Sequence, residues 1–452
     1  MKNILRNSNK TIDKDIFRLS IPAIVSNITV PLLGLCDTAI SGHLGSDLFL
    51  AAIAVGTVML NVIFWMLGFL RGGTTGLTAI AYGTGSDQEI AKVLYRALFI
   101  SLIGGTLLIA LQKPLFSFLS LVASPDKEII PLVRSYFDIR IWGSPAMLAT
   151  MAISGWFVGM QTTLFPMIIA IGMNIANIIV SFLLAFPAGL GFEGVAWGTL
   201  ISNWFGLLLS IGCMWWFRKG KPLPLIFSEL LKGGLWKYFS VNGNLFLRSF
   251  FIICVTMGVT AAGARLGSRV LAINVIVMQF FQFFSFFMDG FAFSGEALIG
   301  RRLGERNFQL LKKTSLRLVK WSLFTGLAFS FFYFFTTGQI ASLLTDSIEI
   351  QEGVAQLVMI ITLIPIVSCW AFIFDGFYVG LAETNKMMIS TLLAAIAFFA
   401  IAFLKYDNGV MLGTSSNLMI WAGFLSYLLI RGLYLGFMWP STVKSFRTDA
   451  LK

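Results

Sequence analysis

Residues 22–45, PAIVSNITVPLLGLCDTAISGHLG, contain the features from which the fold is predicted. The stretch is apolar enough to lie in a membrane, yet it carries one carboxylate, Asp37. It also contains Pro22 and Pro31, and each proline removes a helix hydrogen bond and lets the helix bend. Because an ionised Asp at membrane depth costs about 2.5–3.5 kcal/mol, we expect Asp37 to bind a proton or a cation. The open alternative is an Asp that only bonds a neighbouring helix.

The composition indicates a polytopic membrane protein. The chain has 452 residues, of which 57% are hydrophobic and 12% are charged, whereas soluble domains average about 25% charged residues. The formal net charge of +12 comes from Lys and Arg in short loops on one side of the membrane, so we expect no nucleic-acid partner. The four cysteines lie in apolar runs without CxxC spacing, which predicts neither a disulfide framework nor a metal site.

Twelve apolar runs are each long enough to cross a membrane, which takes about 20 helical residues. The sequence therefore predicts an all-α fold with twelve transmembrane helices. The runs are 16–43, 48–72, 90–122, 129–160, 164–187, 190–217, 236–264, 268–300, 307–343, 350–381, 384–404 and 410–440.

Two internal sequence matches predict a duplicated architecture. WFVGMQTTLFPM at 156–167 matches FYVGLAETNKMM at 377–388, and SGHLG at 41–45 matches GARLG at 263–267. Both matches have an offset of about 221 positions. An even number of helices per half gives a parallel repeat, that is, two six-helix lobes in the same orientation.

The predicted boundaries follow from the longest charged connector. We assign 1–217 to an N-lobe, 218–235 to a cytoplasmic linker and 236–452 to a C-lobe. Lys and Arg are concentrated in the loops on the N-terminal side of the membrane, so both termini are predicted to be cytoplasmic.

Further polar residues interrupt the later spans. Gln282, Ser285, Asp289 and Glu296 share one face of the predicted eighth helix, and this face must line a cavity or meet a partner. Two others, Arg248 and Asp375, lie in the seventh and tenth predicted helices. Arg248 is a candidate ion-pair partner for the acids of the eighth helix. The open alternatives for Asp289 and Glu296 are a substrate counter-charge and a structural ion pair.

No enzymatic motif is present: the sequence lacks HExxH, Walker A, GxSxG and GxGxxG patterns. We therefore expect a transporter that is not an enzyme and has no cofactor. Without an ATP-binding domain, its transport must be driven by an ion gradient or be passive.

Four stretches resemble the DinF branch of the multidrug and toxic compound extrusion (MATE) family. They are SNITVPLLGLCDTAISGHLG, LRGGTTGLTA, DGFAFSGEA and DGFYVGLAETNKM, and the resemblance covers essentially the whole chain. It implies ion-driven antiport of organic, often cationic, compounds by alternating access. It also implies a bacterial cytoplasmic (inner) membrane, lipids as surroundings, and a monomer.

The resemblance carries over to individual residues of the N-lobe. Asp37 corresponds to the family's ion-coupling Asp, Asn177 to its fifth-helix Asn and Thr199 to its sixth-helix Thr, while Pro22 corresponds to the proline at which the first helix bends. The family motif NIVLD reads NIIVS here, so that Ser181 stands where the family has a second acid.

The missing second acid bears on the coupling ion. A single carboxylate favours a proton gradient and weakens a Na⁺ site at Asp37, Asn177 and Thr199 without excluding one. Two other functions stay open: a flippase for lipid-linked precursors, which needs a cationic cavity, and a metabolite uniporter.

Overall fold

The computed structural model describes residues 2–224, 235–403, 406–407, 410–411 and 416–450. Within these ranges the chain is almost entirely helical. The elements are α1 Lys2–Gly42, α2 Asp47–Leu67, α3 Phe69–Thr84, α4 Asp87–Ala110, α5 Gln112–Ala123, α6 Ile130–Arg140, a 3₁₀ turn Ile141–Gly143, α7 Ser144–Gly159, α8 Leu164–Ala185, α9 Gly191–Phe217, α10 Leu235–Arg265, α11 Ser268–Gly304, α12 Phe308–Leu344, α13 Ile348–Gln356, α14 Val358–Gly380, α15 Thr384–Phe403, the antiparallel strands β1 Tyr406–Asp407 and β2 Val410–Met411, and α16 Asn417–Asp449.

The predicted all-α membrane fold is confirmed. Eleven helical segments of the described chain are long and apolar enough to cross a membrane. They correspond one to one to the second to twelfth predicted spans. The first predicted span, 16–43, falls within α1, where several side chains lie outside the described residues. Of the predicted linker 218–235, residues 225–234 also lie outside them.

Polar caps fix where several helices begin. The hydroxyls of Ser46 and Ser86 accept hydrogen bonds from backbone N–H groups in the first turns of α2 and α4. Asn307 does the same for α12, accepting from the N–H of Leu310 at 3.0 Å. These caps satisfy N–H groups that the helix itself leaves unpaired.

The chain divides into two compact units. The first unit contains residues 1–24 and 240–452, and the second contains residues 25–239. The division therefore falls inside α1, whereas the sequence-based boundary assigned all of the first helix to the N-lobe.

Contacts explain why the first 24 residues belong to the first unit. Ser20 and Ser294 of α11 share a 2.7 Å hydrogen bond between their hydroxyls. Nearer the N-terminus, Asp13 accepts hydrogen bonds from Arg317 Nε at 2.8 Å and Trp321 Nε1 at 2.9 Å, both on α12. Burial raises the pKa of Asp13, but the bonds from Arg317 and Trp321 outweigh this effect and hold its pKa below the usual value.

The internal repeat is visible as one helix contact made twice. A Cβ placed on Gly155 of α7 would lie 2.3 Å from the carbonyl oxygen of Arg71 on α3. In the other unit, a Cβ on Gly376 of α14 would lie 2.4 Å from the carbonyl oxygen of Ala292 on α11. Each member of the second pair follows its counterpart by 221 positions. The glycines let both helix pairs approach backbone to backbone.

A hydrogen bond recurs with the same offset. Ser101 of α4 donates to the carbonyl oxygen of Leu148 on α7 at 3.1 Å, and Ser322 of α12 donates to that of Cys369 on α14, also at 3.1 Å. Equivalent residues therefore hold equivalent helices together within each unit.

Candidate functional site

Close packing of α8 against α9 positions the first group of candidate residues. A Cβ on Gly198 would lie 2.2 Å from Ser181 Oγ, and one on Gly194 would lie 2.6 Å from the backbone nitrogen of Ala185. The two glycines are four residues apart, so they lie on one face of α9, in the GxxxG spacing that brings membrane helices together. This contact brings the polar residues of α8 close to those of α9.

Three of the predicted residues meet between these two helices. Asn177 and Ser181 lie on α8 and Thr199 lies on α9, and their exposed fractions are 1%, 0% and 6%. Asn177 donates from Nδ2 to Thr199 Oγ1 at 3.0 Å, and Thr199 in turn donates to the carbonyl oxygen of Val195 at 3.1 Å. The sequence prediction that these residues share one site is thus consistent with their placement.

Two oxygens of this polar cluster have no partner among the described residues. They are Asn177 Oδ1 and Ser181 Oγ, and both are buried. An unpaired buried polar atom costs about 1–3 kcal/mol, so a water molecule, a protonated group or a cation would stabilise it. Both atoms are oxygen acceptors, the ligand type that hard cations such as Na⁺ also require.

One more contact connects α8 to α1. Asn174 donates from Nδ2 to Thr29 Oγ1 at 3.1 Å and to the Thr29 carbonyl oxygen at 3.3 Å. Asp37 lies eight positions beyond Thr29, about 12 Å along the helix axis. The side chains of Asp37 and Pro31 lie outside the described residues, so their predicted roles stay predictions.

The helix that carries Asp37 is continuous. α1 runs from Lys2 to Gly42 as one α-helix that includes Pro22. The bend expected at Pro22 therefore remains a prediction about a second conformation of the chain.

A charged cluster lies within the membrane-spanning helices of the first unit. Asp375 of α14 accepts a hydrogen bond from Arg248 Nη2 of α10 at 2.5 Å. It also accepts one from Arg431 of α16, which donates in addition to the hydroxyl of Tyr427 at 3.0 Å. The exposed fractions of the three charged side chains are 20% for Arg248, 8% for Asp375 and 5% for Arg431.

This cluster gives Arg248 a partner that the sequence did not predict. The sequence made Arg248 a candidate partner for the acids of the eighth predicted helix, and the structure pairs it with Asp375 of α14. The reason is the position of α14, which packs against α11 through Gly376 and thereby places Asp375 beside α10.

The polar residues that share one face of α11 differ in burial and in the groups they contact. Glu296 is buried, with 4% of its surface exposed, and Asp289 is half-buried. Ser285 donates to the carbonyl oxygen of Gln282 at 2.7 Å. Gln282 lines a cavity of about 270 Å³ together with Asn274 and Gln279.

Sequence reasoning missed Arg431. Its signal was a single Arg inside the apolar run LSYLLIRGLYLG, far from any loop. A second embedded arginine, Arg140, is held in the other unit by the hydroxyls of Tyr136 at 2.7 Å and Thr57 at 3.3 Å. Asp138, two residues before Arg140, pairs with Arg134 at 3.5 Å.

Among the described residues, no three His, Cys, Asp or Glu side chains are grouped so that they could hold a metal ion. Asn177 Oδ1 and Ser181 Oγ are candidate cation ligands among the described residues, whereas the side chain of the predicted ligand Asp37 lies outside them.

Comparison with known proteins places these features in context. The family model MatE matches residues 22–183 and again 245–404. The chain is 32% identical to DNA damage-inducible protein F of Escherichia coli (strain K12), over 94% of this chain and 92% of that protein. It is 23% identical to Protein DETOXIFICATION 44, chloroplastic, of Arabidopsis thaliana, over 93% of this chain and 81% of that protein. A crystal structure described as MATE in the bent conformation superposes with a TM-score of 0.85 at 18% identity, covering 98% of this chain and 97% of that chain.

Proposed function

Since the chain belongs to the MatE family of multidrug and toxic compound transporters, we propose that it is an ion-coupled antiporter that exports lipophilic organic compounds in exchange for protons. The two matches of the family model, at 22–183 and 245–404, confirm the internal repeat predicted from sequence. The members of this family are transporters rather than enzymes, and the apolar helices place the chain in a membrane.

The observation that carries the proposed coupling is the polar cluster between α8 and α9. Asn177 Oδ1 and Ser181 Oγ are buried acceptors without a partner in the described chain. Both atoms lie on α8, which is long and apolar enough to cross a membrane, and buried polar atoms without a partner are costly there. The cluster belongs to the same unit as residue 37 of α1.

Protons are the proposed coupling ion because the resemblance assigns one carboxylate, Asp37, to this site. Ser181 replaces the second acid that the resemblance implies, so the site lacks a second negative charge with which to hold Na⁺. Asn177, Thr199 and Ser181 then serve as neutral hydrogen-bonding partners of Asp37. A Na⁺ ion at Asp37, Asn177 and Thr199 is the alternative that the experiment below separates.

The proposed cycle uses the charge of Asp37. With Asp37 ionised, the helices of its lobe leave a cavity that substrate enters from the inside. Protonation from the outside removes the charge, α1 bends at Pro22 or Pro31, and substrate leaves outward. Deprotonation toward the inside resets the transporter. In this proposal both termini are cytoplasmic, the membrane is the bacterial inner membrane and the working unit is a monomer.

Counterflow in proteoliposomes tests the proposal. A pH gradient and a Na⁺ gradient are imposed separately, and ethidium efflux is followed for the wild type and for Asp37→Asn. We expect the pH gradient alone to drive efflux, and Asp37→Asn to abolish this efflux at unchanged protein level. Normal efflux by the variant would contradict the proposal, and efflux driven only by Na⁺ would reassign the coupling ion.

A metabolite uniporter would show no effect of either gradient. A flippase for lipid-linked precursors requires embedded positive charge, and one observation favours that second function. Arg248 and Arg431 together outnumber Asp375 in the charged cluster.

A further inference from the structure

We propose that the charged cluster of Arg248, Asp375, Arg431 and Tyr427 binds the anionic group of an amphipathic organic substrate. This inference rests on the proposed transport function and adds a substrate class to it. The sequence had suggested lipophilic cations, with acids of the second lobe as their counter-charges.

The charge of the cluster favours an anionic ligand. Two guanidinium groups share one carboxylate, since Arg248 and Arg431 both donate to the same oxygen, Asp375 Oδ2. The third polar partner, Tyr427, contributes a hydroxyl that accepts from Arg431. The cluster therefore carries one excess positive charge within membrane-spanning helices. An uncompensated embedded charge is expensive, and an anion would neutralise it.

Arg248 is the side chain of the cluster that is placed to meet the ligand. Arg431 is fixed from two sides, because it donates to Tyr427 and Asp375 and its Cζ lies 5.1 Å from the centre of the Tyr427 ring. Among the described residues, Arg248 donates to Asp375 through Nη2, and 20% of its side chain is exposed. The Nε of Arg248 is buried and has no partner in the described chain, so this guanidinium still has a donor to offer to an anion.

The hydrogen bonds of Asp375 favour an anion over a cation as the ligand. The carboxylate oxygen that a cation would seek, Asp375 Oδ2, already accepts from two arginines. The other oxygen, Oδ1, is buried and has no partner in the described chain, and the two arginines give the cluster a net positive charge. A guanidinium binds a planar carboxylate, a sulfonate or a phosphate through paired hydrogen bonds. The ligand class is therefore an amphipathic compound with one such group.

Binding of two matched probes tests the inference without any ion gradient. The purified protein is placed in phosphatidylcholine nanodiscs and titrated with two dansyl probes of equal length, one ending in a carboxylate and one in a trimethylammonium group. We expect the wild type to bind the carboxylate probe about tenfold more tightly, the size of one charge-assisted hydrogen bond. Arg248→Gln should lose about that factor for the carboxylate probe and leave the trimethylammonium probe unchanged.

Arg218→Gln is the matched control. Arg218 also forms one ion pair, with Asp87 at 3.2 Å, but it lies at the end of α9 in the other unit. This variant should bind both probes as the wild type does. Unchanged binding of the carboxylate probe by Arg248→Gln would overturn the inference. If Arg248→Gln fails to fold, the wild type decides the question, because equal or tighter binding of the trimethylammonium probe also overturns it.

Two further measurements distinguish a lipid headgroup from a small organic anion, and the substrate proposal from the coupling proposal. Displacement of the carboxylate probe by undecaprenyl pyrophosphate, with no transport of the probe, would overturn export of small organic anions and assign the cluster to a lipid headgroup. Asp37→Asn should bind the carboxylate probe normally while failing to transport it. Arg248-dependent binding without any transport driven by a pH gradient would refute the coupling proposal alone.

Discussion

The amide of Asn177 donates a 3.0 Å hydrogen bond to the hydroxyl of Thr199, while the amide oxygen of the same side chain is buried and has no partner in the described chain. One half of the side chain is thus anchored on α9 and the other half is left for a ligand. This arrangement makes Thr199 a positioning residue for the proposed coupling site.

Thr199→Val removes the acceptor of the Asn177 amide at almost unchanged side-chain volume. We expect the free energy of unfolding to fall by about 1–2 kcal/mol, because the buried amide donor of Asn177 loses its partner. We also expect proton-driven efflux in proteoliposomes to fall severalfold while binding of the dansyl probes is retained. The control is Thr256→Val, since Thr256 donates only to the carbonyl oxygen of Ile252 in its own helix. Equal efflux by the two variants would contradict a positioning role for Thr199.

Gly198→Ala tests the close packing of α8 and α9. The added methyl group would lie 2.2 Å from Ser181 Oγ and 2.6 Å from Ser181 Cα, so a backbone must move. Overpacking of this kind costs about 1–3 kcal/mol. Gly212→Ala in the same helix is the control, because a Cβ there meets no atom within 4 Å. The thermal unfolding temperature should fall for Gly198→Ala and stay within about a degree, or rise, for Gly212→Ala, where alanine also favours the helix.

The sequence predicted the spans and the repeat because both depend on local patterns. Apolar length alone located eleven segments that the structure confirms, and two short matches gave the offset at which Gly155 and Gly376 make equivalent contacts. The partner of Arg248 could not be obtained in this way. Helical periodicity places residues on a face, but the neighbour of that face depends on how α14 packs. Neither apolar length nor helical periodicity could identify Arg431, because its only signal was one charge in an apolar run.

Asp375→Asn is expected to destabilise the protein more than Arg248→Gln does. The first change leaves two embedded guanidinium groups without a counter-charge, at a cost of about 3–5 kcal/mol. The second leaves a neutral pair of Asp375 and Arg431, which keeps its hydrogen bond. Thermal unfolding of both variants in the same detergent measures the difference. The reverse order of stability would contradict the description of Asp375 as the centre of the cluster.

Asp13→Asn tests the attachment of the start of α1 to α12. The pKa of Asp13 is lowered in the folded protein, so its ionised form stabilises the fold at pH 7, and this contribution is lost as the pH falls through the folded value. Because Asp13 and Arg317 are each about one-fifth exposed, we expect the ion pair to contribute only about 1 kcal/mol to the free energy of unfolding.

The variant should therefore unfold at a lower temperature than the wild type at pH 7, and the difference should shrink below about pH 4. Differential scanning fluorimetry between pH 7 and pH 3 measures both effects. A difference that stays constant over this range would show that the charge of Asp13 plays no part.

The packing of the start of α1 against α11 and α12 also shows why the unit boundary could not be predicted from sequence. Charged connectors and prolines locate where a chain leaves the membrane, but they do not report which helices a long helix packs against. Ser20 and Asp13 contact α11 and α12, more than 270 positions away in the chain. Such long-range partners carry no local signal.

The two halves of the chain share the same close glycine contacts between helices but differ in their embedded polar residues. The offset of 221 positions that relates Gly155 to Gly376 also identifies the other equivalent residues. Asn177 and Ser181 correspond to Phe398 and Ala402, and Asp375 corresponds to Ser154. In the two proposals made above, one copy couples to protons and the other binds substrate, and the glycine contacts are the same in both copies. An engineer who wished to alter what this carrier exports would then work on one copy only, and leave its energy source untouched.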